Sequence, residues 1–230
     1  MTGYDYIIVG GGSGGCARAA RLSEDDTARV LLLEAGPRDT NPYIHMPVGF
    51  FKMTAGPLIW GYNTAPLRHA NNRVAVYPQA RVLGGGSSIN AEIYTRGTPE
   101  DFDGWEKDHG CEGWGWTGLK PYFIKSEGNT RLGGSEHGID GPLGVSDLQT
   151  PSRLSQAYVQ GCMDIGMPFN ADFNSGTQAG AGLYQTTTLN GRRCSAAVGY
   201  LRPALKRKNL ELRTGLTVNR IVVTKGRAIG

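Results

Sequence analysis

The stretch Tyr4-Asp5-Tyr6-Ile7-Ile8-Val9-Gly10-Gly11-Gly12-Ser13-Gly14-Gly15 decides how this chain is read. Tyr4 to Val9 predicts a short buried strand, and a run of glycine and serine follows it at once. Cys16 to Ser23 then carries good helix formers, Ala17, Arg18, Ala19, Ala20, Arg21 and Leu22. Val30-Leu31-Leu32-Leu33-Glu34 predicts a second strand with an acid at its end. Strand, glycine turn, helix, strand and acid, in that order, form a βαβ unit of the dinucleotide-binding type.

Each part has a physical reason. Gly10, Gly12 and Gly15 fit the spacing G-x-G-x-x-G. The first allows a tight turn, the second lets a pyrophosphate approach the backbone, and the third lets helix and strand pack closely. The helix N-terminus offers unpaired N–H groups and a partial positive charge to phosphates. Glu34 follows Gly15 by nineteen residues, where a carboxylate can accept from ribose hydroxyls. An acid there repels a 2′-phosphate and so disfavours NADP. The unit alone does not separate NAD from FAD.

Composition narrows the classes. The 230 residues suffice for one large or two small domains with a sizeable core. Glycine, at 35 residues, has about twice its usual share, and it sits at motifs and turns rather than in a repeat. The formal charge of +4 is a mild excess. Lys206, Arg207, Lys208 and Arg213 read as a solvated face, and no nucleic-acid motif accompanies them. Cys16, Cys111, Cys162 and Cys194 are scattered with no C-x-x-C pair, and His45, His69, His109 and His137 show no ligand spacing, so no metal site is expected. Scattered thiols and an N-terminus unlike a signal peptide suit a cytoplasmic protein. No apolar run approaches the roughly 20 residues needed to span a bilayer.

Residues 37–80 carry many prolines and glycines and no sustained helical period. They predict a long surface excursion with short helical pieces, of the kind that covers a ligand. Trp60 and Tyr62 within it are either stacking residues or caps of the local core. Next comes Ala80-Arg81-Val82-Leu83-Gly84-Gly85-Gly86-Ser87-Ser88-Ile89-Asn90-Ala91-Glu92-Ile93-Tyr94. A glycine triplet followed by two serines exposes backbone N–H groups and hydroxyl donors to a polar or anionic ligand, and Asn90 adds an amide that both donates and accepts.

This second stretch resembles the first signature of the glucose-methanol-choline (GMC) oxidoreductase family, through Ala80, Arg81, Leu83, Gly84, Gly85, Gly86, Ser87, Ile89, Asn90, Tyr94, Gly97 and Asp103. Gly191 to Ala204 resembles the family's "R-x-S-x-x-x-x-Y-L-x-P-A" segment, and Gly141-Pro142-Leu143-Gly144-Val145 its "G-P-x-x-V" strand. Pro42 to Phe50 and His69 to Arg73 look like the bacterial L-sorbose dehydrogenase and choline dehydrogenase-like branch. The resemblance implies an α/β fold, an FAD-binding Rossmann-like (βαβ) domain with part of an α+β substrate-binding domain. The implied division is 1–141 for the first part of the FAD-binding domain, 142–190 for part of the substrate-binding domain, and 191–230 for the return to the FAD-binding domain.

The resemblance also implies FAD, with Gly10, Gly12, Ser13, Gly14 and Gly15 at the pyrophosphate, Glu34 at the adenosine ribose, and Ala35 among the cofactor-binding residues. Arg81, Val82, Gly85, Ser88, Asn90, Ala91 and Ile93 would lie along the flavin end, Trp60 is a further cofactor-binding candidate, and Val218 would present backbone to the adenine. Leu210 to Leu212 and Val218 to Val223 also alternate like ordinary strands, so that last role stays open. The implied activity is oxidation of a primary alcohol, such as a sugar or polyol, by hydride transfer to flavin N5. The family's catalytic histidine matches no position here and is expected beyond Gly230. The ending Lys225-Gly226-Arg227-Ala228-Ile229-Gly230, a turn and a strand barely begun, suggests a fragment whose remainder is a partner, possibly as a separate chain. Two alternatives remain, a redox-neutral FAD-containing lyase of the same fold and an NAD-binding module.

Overall fold

The computed structural model describes residues 3–230. From the N-terminus, β1 (Tyr6–Val9), α1 (Ser13–Leu22) and β2 (Val30–Glu34) are followed by α2 (Pro42–His45), β3 (Tyr62–Asn63) and β4 (Val76–Tyr77). Then come α3 (Pro99–His109), α4 (Trp116–Ser126), β5 (Glu127–Asn129), β6 (Leu143–Val145) and α5 (Arg153–Asp164). The last elements are β7 (Thr188–Leu189), β8 (Arg192–Arg193), α6 (Arg202–Ala204), β9 (Leu210–Thr214), β10 (Val223–Thr224) and β11 (Arg227–Ala228). They form two compact units. The first runs up to Ala91 and resumes from Ser195 to Gly230, and the second is Glu92–Cys194. The sequence division at 141/142 falls inside the second unit, between β5 and β6, which pair in parallel.

In the first unit three parallel strands take the order β1-β2-β9. The positions Cys16, Ala19 and Ala20 recur at helical spacing and lay one face of α1 on the sheet. There they meet Val30, Leu32, Leu83, Ala197, Leu201, Ala204 and Leu210 in one buried cluster. Burying a side chain such as Leu32 fully stabilises the unit by about 1.5–3 kcal/mol. The small residues of α1 let helix and sheet approach closely. Ser23 ends the helix, its buried hydroxyl donating to the Ala20 carbonyl at 3.2 Å.

The expected buried first strand is corrected. β1 lies at the edge of the sheet, and its Tyr6, Ile7 and Val9 stay about half exposed. Only Ile8 packs against the α1 core. The second strand forms as expected and is buried, with β1 and β9 flanking it.

The excursion 37–80 holds short pieces, as its prolines predict. Asn41 caps α2 by accepting from Tyr43 N–H at 3.0 Å, and Pro42 occupies the first helical position. Ile44, Met53, Leu58, Val82 and Ile89 close a second apolar cluster beneath it. At the C-terminal end a strand over Val218 to Val223 is not formed; only Val223–Thr224 pairs, with Arg227–Ala228. Gly215, at φ +75°, turns the chain out of β9, and the Gly215 and Leu216 amides bind the Gly36 and Glu34 carbonyls instead of continuing a ladder. Lys225 and Gly226, both at positive φ, make the expected hairpin turn.

In the second unit the Asp101 carboxylate accepts from the Thr98 N–H and hydroxyl at the start of α3, and Gly110 ends that helix at φ +67°. Phe102 gathers Trp105, Trp116 and Phe123, and Trp105 meets Trp114, so the tryptophans pack structurally. Ser152 caps α5 through the Ser155 amide. Leu154, Tyr158 and Ile165 recur at helical spacing, yet they are 80%, 73% and 81% exposed, so this apolar stripe is uncovered within the unit. Among the described residues, no helix is long and apolar enough to cross a membrane.

Candidate functional site

The site grows from the turn after β1. Gly10 leaves the strand at φ +93°, a conformation that favours glycine, and its amide donates to the Leu33 carbonyl at 2.8 Å. A Cβ on Gly15 would overlap the Gly10 carbonyl oxygen, so this glycine seats α1 against the turn. A Cβ on Gly11 would come 2.8 Å from Leu83 Cδ1 and 3.2 Å from Glu34. At Gly10 and Gly14, by contrast, a Cβ would meet nothing within 4 Å, and at Gly12 only the Gly85 Cα at 3.9 Å. Packing excludes a side chain at Gly15 and crowds one at Gly11; at Gly12 and Gly14 the space is open. Gly12 is the N-cap of α1 with no side-chain bond to the first turn, and no acid stands in that turn. An open cradle before uncapped helical N–H groups fits a bound pyrophosphate.

The second glycine loop packs on the first. The Gly84 amide donates to the Gly11 carbonyl at 2.7 Å, and a Cβ on Gly85 would fall 2.6 Å from Gly12 Cα. Gly84 and Gly85 sit at φ +88° and +55°. The Leu83 amide donates to the Pro37 carbonyl at 3.0 Å, tying the loop to the end of β2 as well. The Ser87 hydroxyl donates to the Gly84 carbonyl at 2.6 Å and accepts from the Ala196 amide at 2.9 Å; the buried Ser88 hydroxyl donates to the Leu83 carbonyl at 2.8 Å. Both hydroxyls therefore brace the loop itself, contrary to the expectation that they offer donors outward. Val82 is fully buried in the apolar cluster.

Glu34 is buried, and each of its carboxylate oxygens accepts a backbone amide at 2.7 Å, Oε2 from Gly11 and Oε1 from Gly36. Ala35 follows it between the second strand and the Gly36 turn. Backbone pairing of Trp60 with Gln79 and of Arg81 with Leu58 brings the Arg81 guanidinium over the Trp60 ring, 5.1 Å from its centroid. Trp60 also stacks on Tyr62, and the buried Arg81 Nε has no hydrogen-bond partner among the described residues. Cys16 donates to the Gly11 carbonyl at 3.2 Å, and burial pushes its thiol up to about 12 against the lowering contact of the Gly84 amide.

The first unit thus gathers Gly10, Gly12, Ser13, Gly14, Gly15, Glu34, Ala35, Trp60, Arg81, Val82, Gly85 and Ser88. Asn90 and Ala91 end its first segment, both exposed, whereas Ile93 belongs to the second unit and bridges to Thr186. Val218 lines a groove of about 760 Å³ along the face of β1, with Ile7, Val9 and Leu33, and no glycine of the first loop lines it. Sequence reasoning missed Gly11, Leu83 and Gly36 as joints between the loops. The signal for Gly11 was a third glycine at a position where the motif tolerates any residue.

The second unit carries a different feature. Buried Arg96 and Glu127 form an ion pair. His137 Nδ1 lies 2.8 Å from Glu127 Oε1 and its Nε2 2.9 Å from Asp172 Oδ2. Burial pushes the Asp172 carboxyl up, but bonds from the Asn174 amide and His137 outweigh it and hold the group below its usual value. Burial likewise pushes the Tyr94 phenol up to about 12. Glu92, at φ +65°, lies 3.1 Å from Arg193, and burial raises its carboxyl although Arg193 opposes the rise. A cavity of about 600 Å³ in this unit is lined by Leu148, Val159, Met163, Phe169 and Leu183, with Arg131 and Asp147 among its polar groups.

Comparison with known proteins agrees with this geometry. The N-terminal model of the GMC oxidoreductases matches residues 4–230. The chain is 46% identical over 229 residues to an alcohol dehydrogenase [acceptor] of Pseudomonas putida, covering 99% of this chain and 41% of that protein. It is 43% identical to an oxygen-dependent choline dehydrogenase of Sinorhizobium fredii, covering 98% of this chain and 41% of that one. Among solved structures, pyridoxine 4-oxidase from Mesorbium loti superposes with a TM-score of 0.93 at 35% identity, over 98% of this chain and 45% of that one. An FAD-dependent oxidoreductase from Chaetomium thermophilum gives 0.91 at 31% identity, over 99% and 41%. The chain spans about 41% of the length of the curated relatives it matches.

Proposed function

Since the chain belongs to the GMC oxidoreductase family, we propose that its joined glycine loops hold FAD and that the protein oxidises a primary alcohol, a sugar or polyol, to the aldehyde. The observation that carries this reading is the bond from the Gly84 amide to the Gly11 carbonyl, which makes one cradle of two glycine motifs. When bound, FAD would supply the redox chemistry as the hydride acceptor. Gly10, Gly12, Ser13, Gly14 and Gly15 bind the pyrophosphate with backbone N–H groups and the α1 dipole. Glu34 and Ala35 face the adenosine, with Val218 near the adenine. Trp60, Arg81, Val82, Gly85, Ser88, Asn90, Ala91 and Ile93 lie toward the flavin, Val82 and Ser88 through backbone only because their side chains are buried.

The first unit is the FAD-binding domain, and residues 142–190 of the second belong to a substrate-binding domain. The histidine that takes the hydroxyl proton, and the rest of the substrate wall, belong to the further length that the relatives have, in the same polypeptide or in a companion chain. Scattered thiols support a cytoplasmic setting.

The test is anaerobic titration of the full-length protein with primary alcohols. The expected result is bleaching of the flavin band at roughly 450 nm. A yellow protein that no alcohol bleaches, yet that splits or forms a carbon–carbon bond, would be a lyase. A colourless protein that binds NAD would remove the flavin reading.

A further inference from the structure

Among the described residues other than glycine, Asn71, Asn72, Glu92, Asn190 and Lys225 hold a positive φ. All but Glu92 are exposed turn residues. Glu92, at φ +65°, is buried. A left-handed residue of this kind persists only where its surroundings over-determine it.

One hairpin supplies those surroundings. Asn190 and Gly191, at φ +52° and +72°, turn β7 into β8 and set Arg193 opposite Thr188. Just before β7, the Thr187 amide donates to the Glu92 carbonyl at 2.8 Å. From β8, the Arg193 guanidinium reaches the Glu92 carboxylate at 3.1 Å, with both side chains buried. The Cys194 amide then donates back to the Thr187 carbonyl at 2.8 Å. The carbonyl and the carboxylate of one residue are thus fixed by the same hairpin, within the second unit. With both groups held and φ in the left-handed well, the planar Ala91–Glu92 peptide has one direction.

We infer that Glu92 and Arg193 are a positioning pair: their ion pair holds the strained turn that aims the Ala91–Glu92 peptide, and through it Ala91, at the flavin end of the cofactor. The consequence for the cofactor rests on the flavin reading above; the clasp on Glu92 does not. Neutralising the carboxylate leaves Arg193 desolvated against a weaker acceptor, and the backbone is then free to relax from its strained angle.

The experiment uses the full-length protein with Glu92→Gln, which keeps the shape and loses the charge, and with Glu92→Gly, which accepts the backbone angle without the ion pair. Should either fail to fold, Arg193→Lys takes its place. Hydrogen exchange by mass spectrometry over the peptide containing Thr187 reads the clasp. Exchange about tenfold faster than in the unmodified protein is expected for Glu92→Gln; unchanged exchange would overturn the inference. Visible circular dichroism of the bound flavin, and the affinity of the flavin-free protein for ADP, then separate positioning from general damage. The dichroism should change and flavin reduction by an alcohol should slow about tenfold, while ADP affinity, which reads the adenosine half, stays within about twofold. Flavin signals like those of the unmodified protein, or a loss of ADP affinity as large as the loss at the flavin, would reject the positioning role. Glu92→Gly should show the same altered dichroism; an unaltered spectrum would mean that the backbone angle suffices and that Arg193 has no part. If the unmodified protein takes up no flavin, the flavin reading fails and the role of Ala91 with it, while exchange at Thr187 still decides the clasp.

Discussion

The two units solve the problem of a stable interior in opposite ways. The first closes on aliphatic and small side chains, Cys16, Ala19, Ala20, Val30, Leu32, Leu201 and Leu210 in one cluster and Ile44, Met53, Leu58, Val82 and Ile89 in another. The second buries Phe102, Val145 and Phe173 but adds Arg96, Glu127, Asn129, His137, Asn174 and Gln185 to its interior, and leaves the apolar stripe of α5 outside. The difference concerns tolerance. An apolar core loses stability in proportion to the volume removed, whereas a buried charge lattice fails when one partner is taken away, because the others stay desolvated and unpaired.

The sharpest break should come from Glu127→Ala. Its carboxylate serves Arg96, His137 and the Asn129 amide group. Removing it should cost the second unit about 3–5 kcal/mol, read as a lowered denaturation midpoint, with Leu32→Ala in the first unit costing about 2–5 kcal/mol for comparison. If both variants unfold at the unmodified midpoint, the contrast between the interiors has no energetic meaning.

A pair of alanines separates packing from ligand space in the first unit. Gly15→Ala must push its methyl into the Gly10 carbonyl, and a loss of about 1–3 kcal/mol together with loss of flavin is expected. Gly14→Ala meets no neighbour. It should leave the flavin-free protein as stable or more stable by up to about 1 kcal/mol, from helix propensity, while flavin retention falls. Unchanged flavin binding by Gly14→Ala would remove Gly14 from the cradle.

The lattice also makes the second unit acid-sensitive. The Asp172 carboxyl is held below its usual value in the folded chain. Its stabilising contribution is thus complete above the unfolded value of about 3.9 and is lost as the pH falls through the lower folded value. Urea midpoints between pH about 2 and 5 should fall less steeply for Asp172→Asn than for the unmodified protein; parallel curves would show that Asp172 adds nothing. The smallest effect is expected at the exposed pair Arg21–Glu24, where Arg21→Ala should shift stability by less than about 1 kcal/mol.

Legibility followed the same line. The βαβ unit was readable because strand, helix and left-handed turn each leave a local signature: β2 and α1 fall where the apolar run and the alanines predict. Gly10 needs its glycine for a backbone angle that can be foreseen from a motif. The burial of β1 was misjudged because an apolar run does not say whether a strand has neighbours on both sides. The alternating run Val218 to Val223 did not become an ordinary strand of the sheet because Gly215 redirects the chain into contact with Glu34 and Gly36.

By itself, then, the sequence determined the strand, turn, helix and strand order of the βαβ unit and the glycines that a tight turn or a close approach requires, since these depend on backbone periodicity and on residues a few positions apart. Only the tertiary structure decided that Gly84 closes on Gly11, that Glu34 is engaged by two amides, that both loop serines turn inward, and that His137 lies between Glu127 and Asp172. Those partners are separated along the chain by stretches that carry no record of which groups will meet. The meeting is set by how the folded units exclude water and by which buried amides and charges must then find one another.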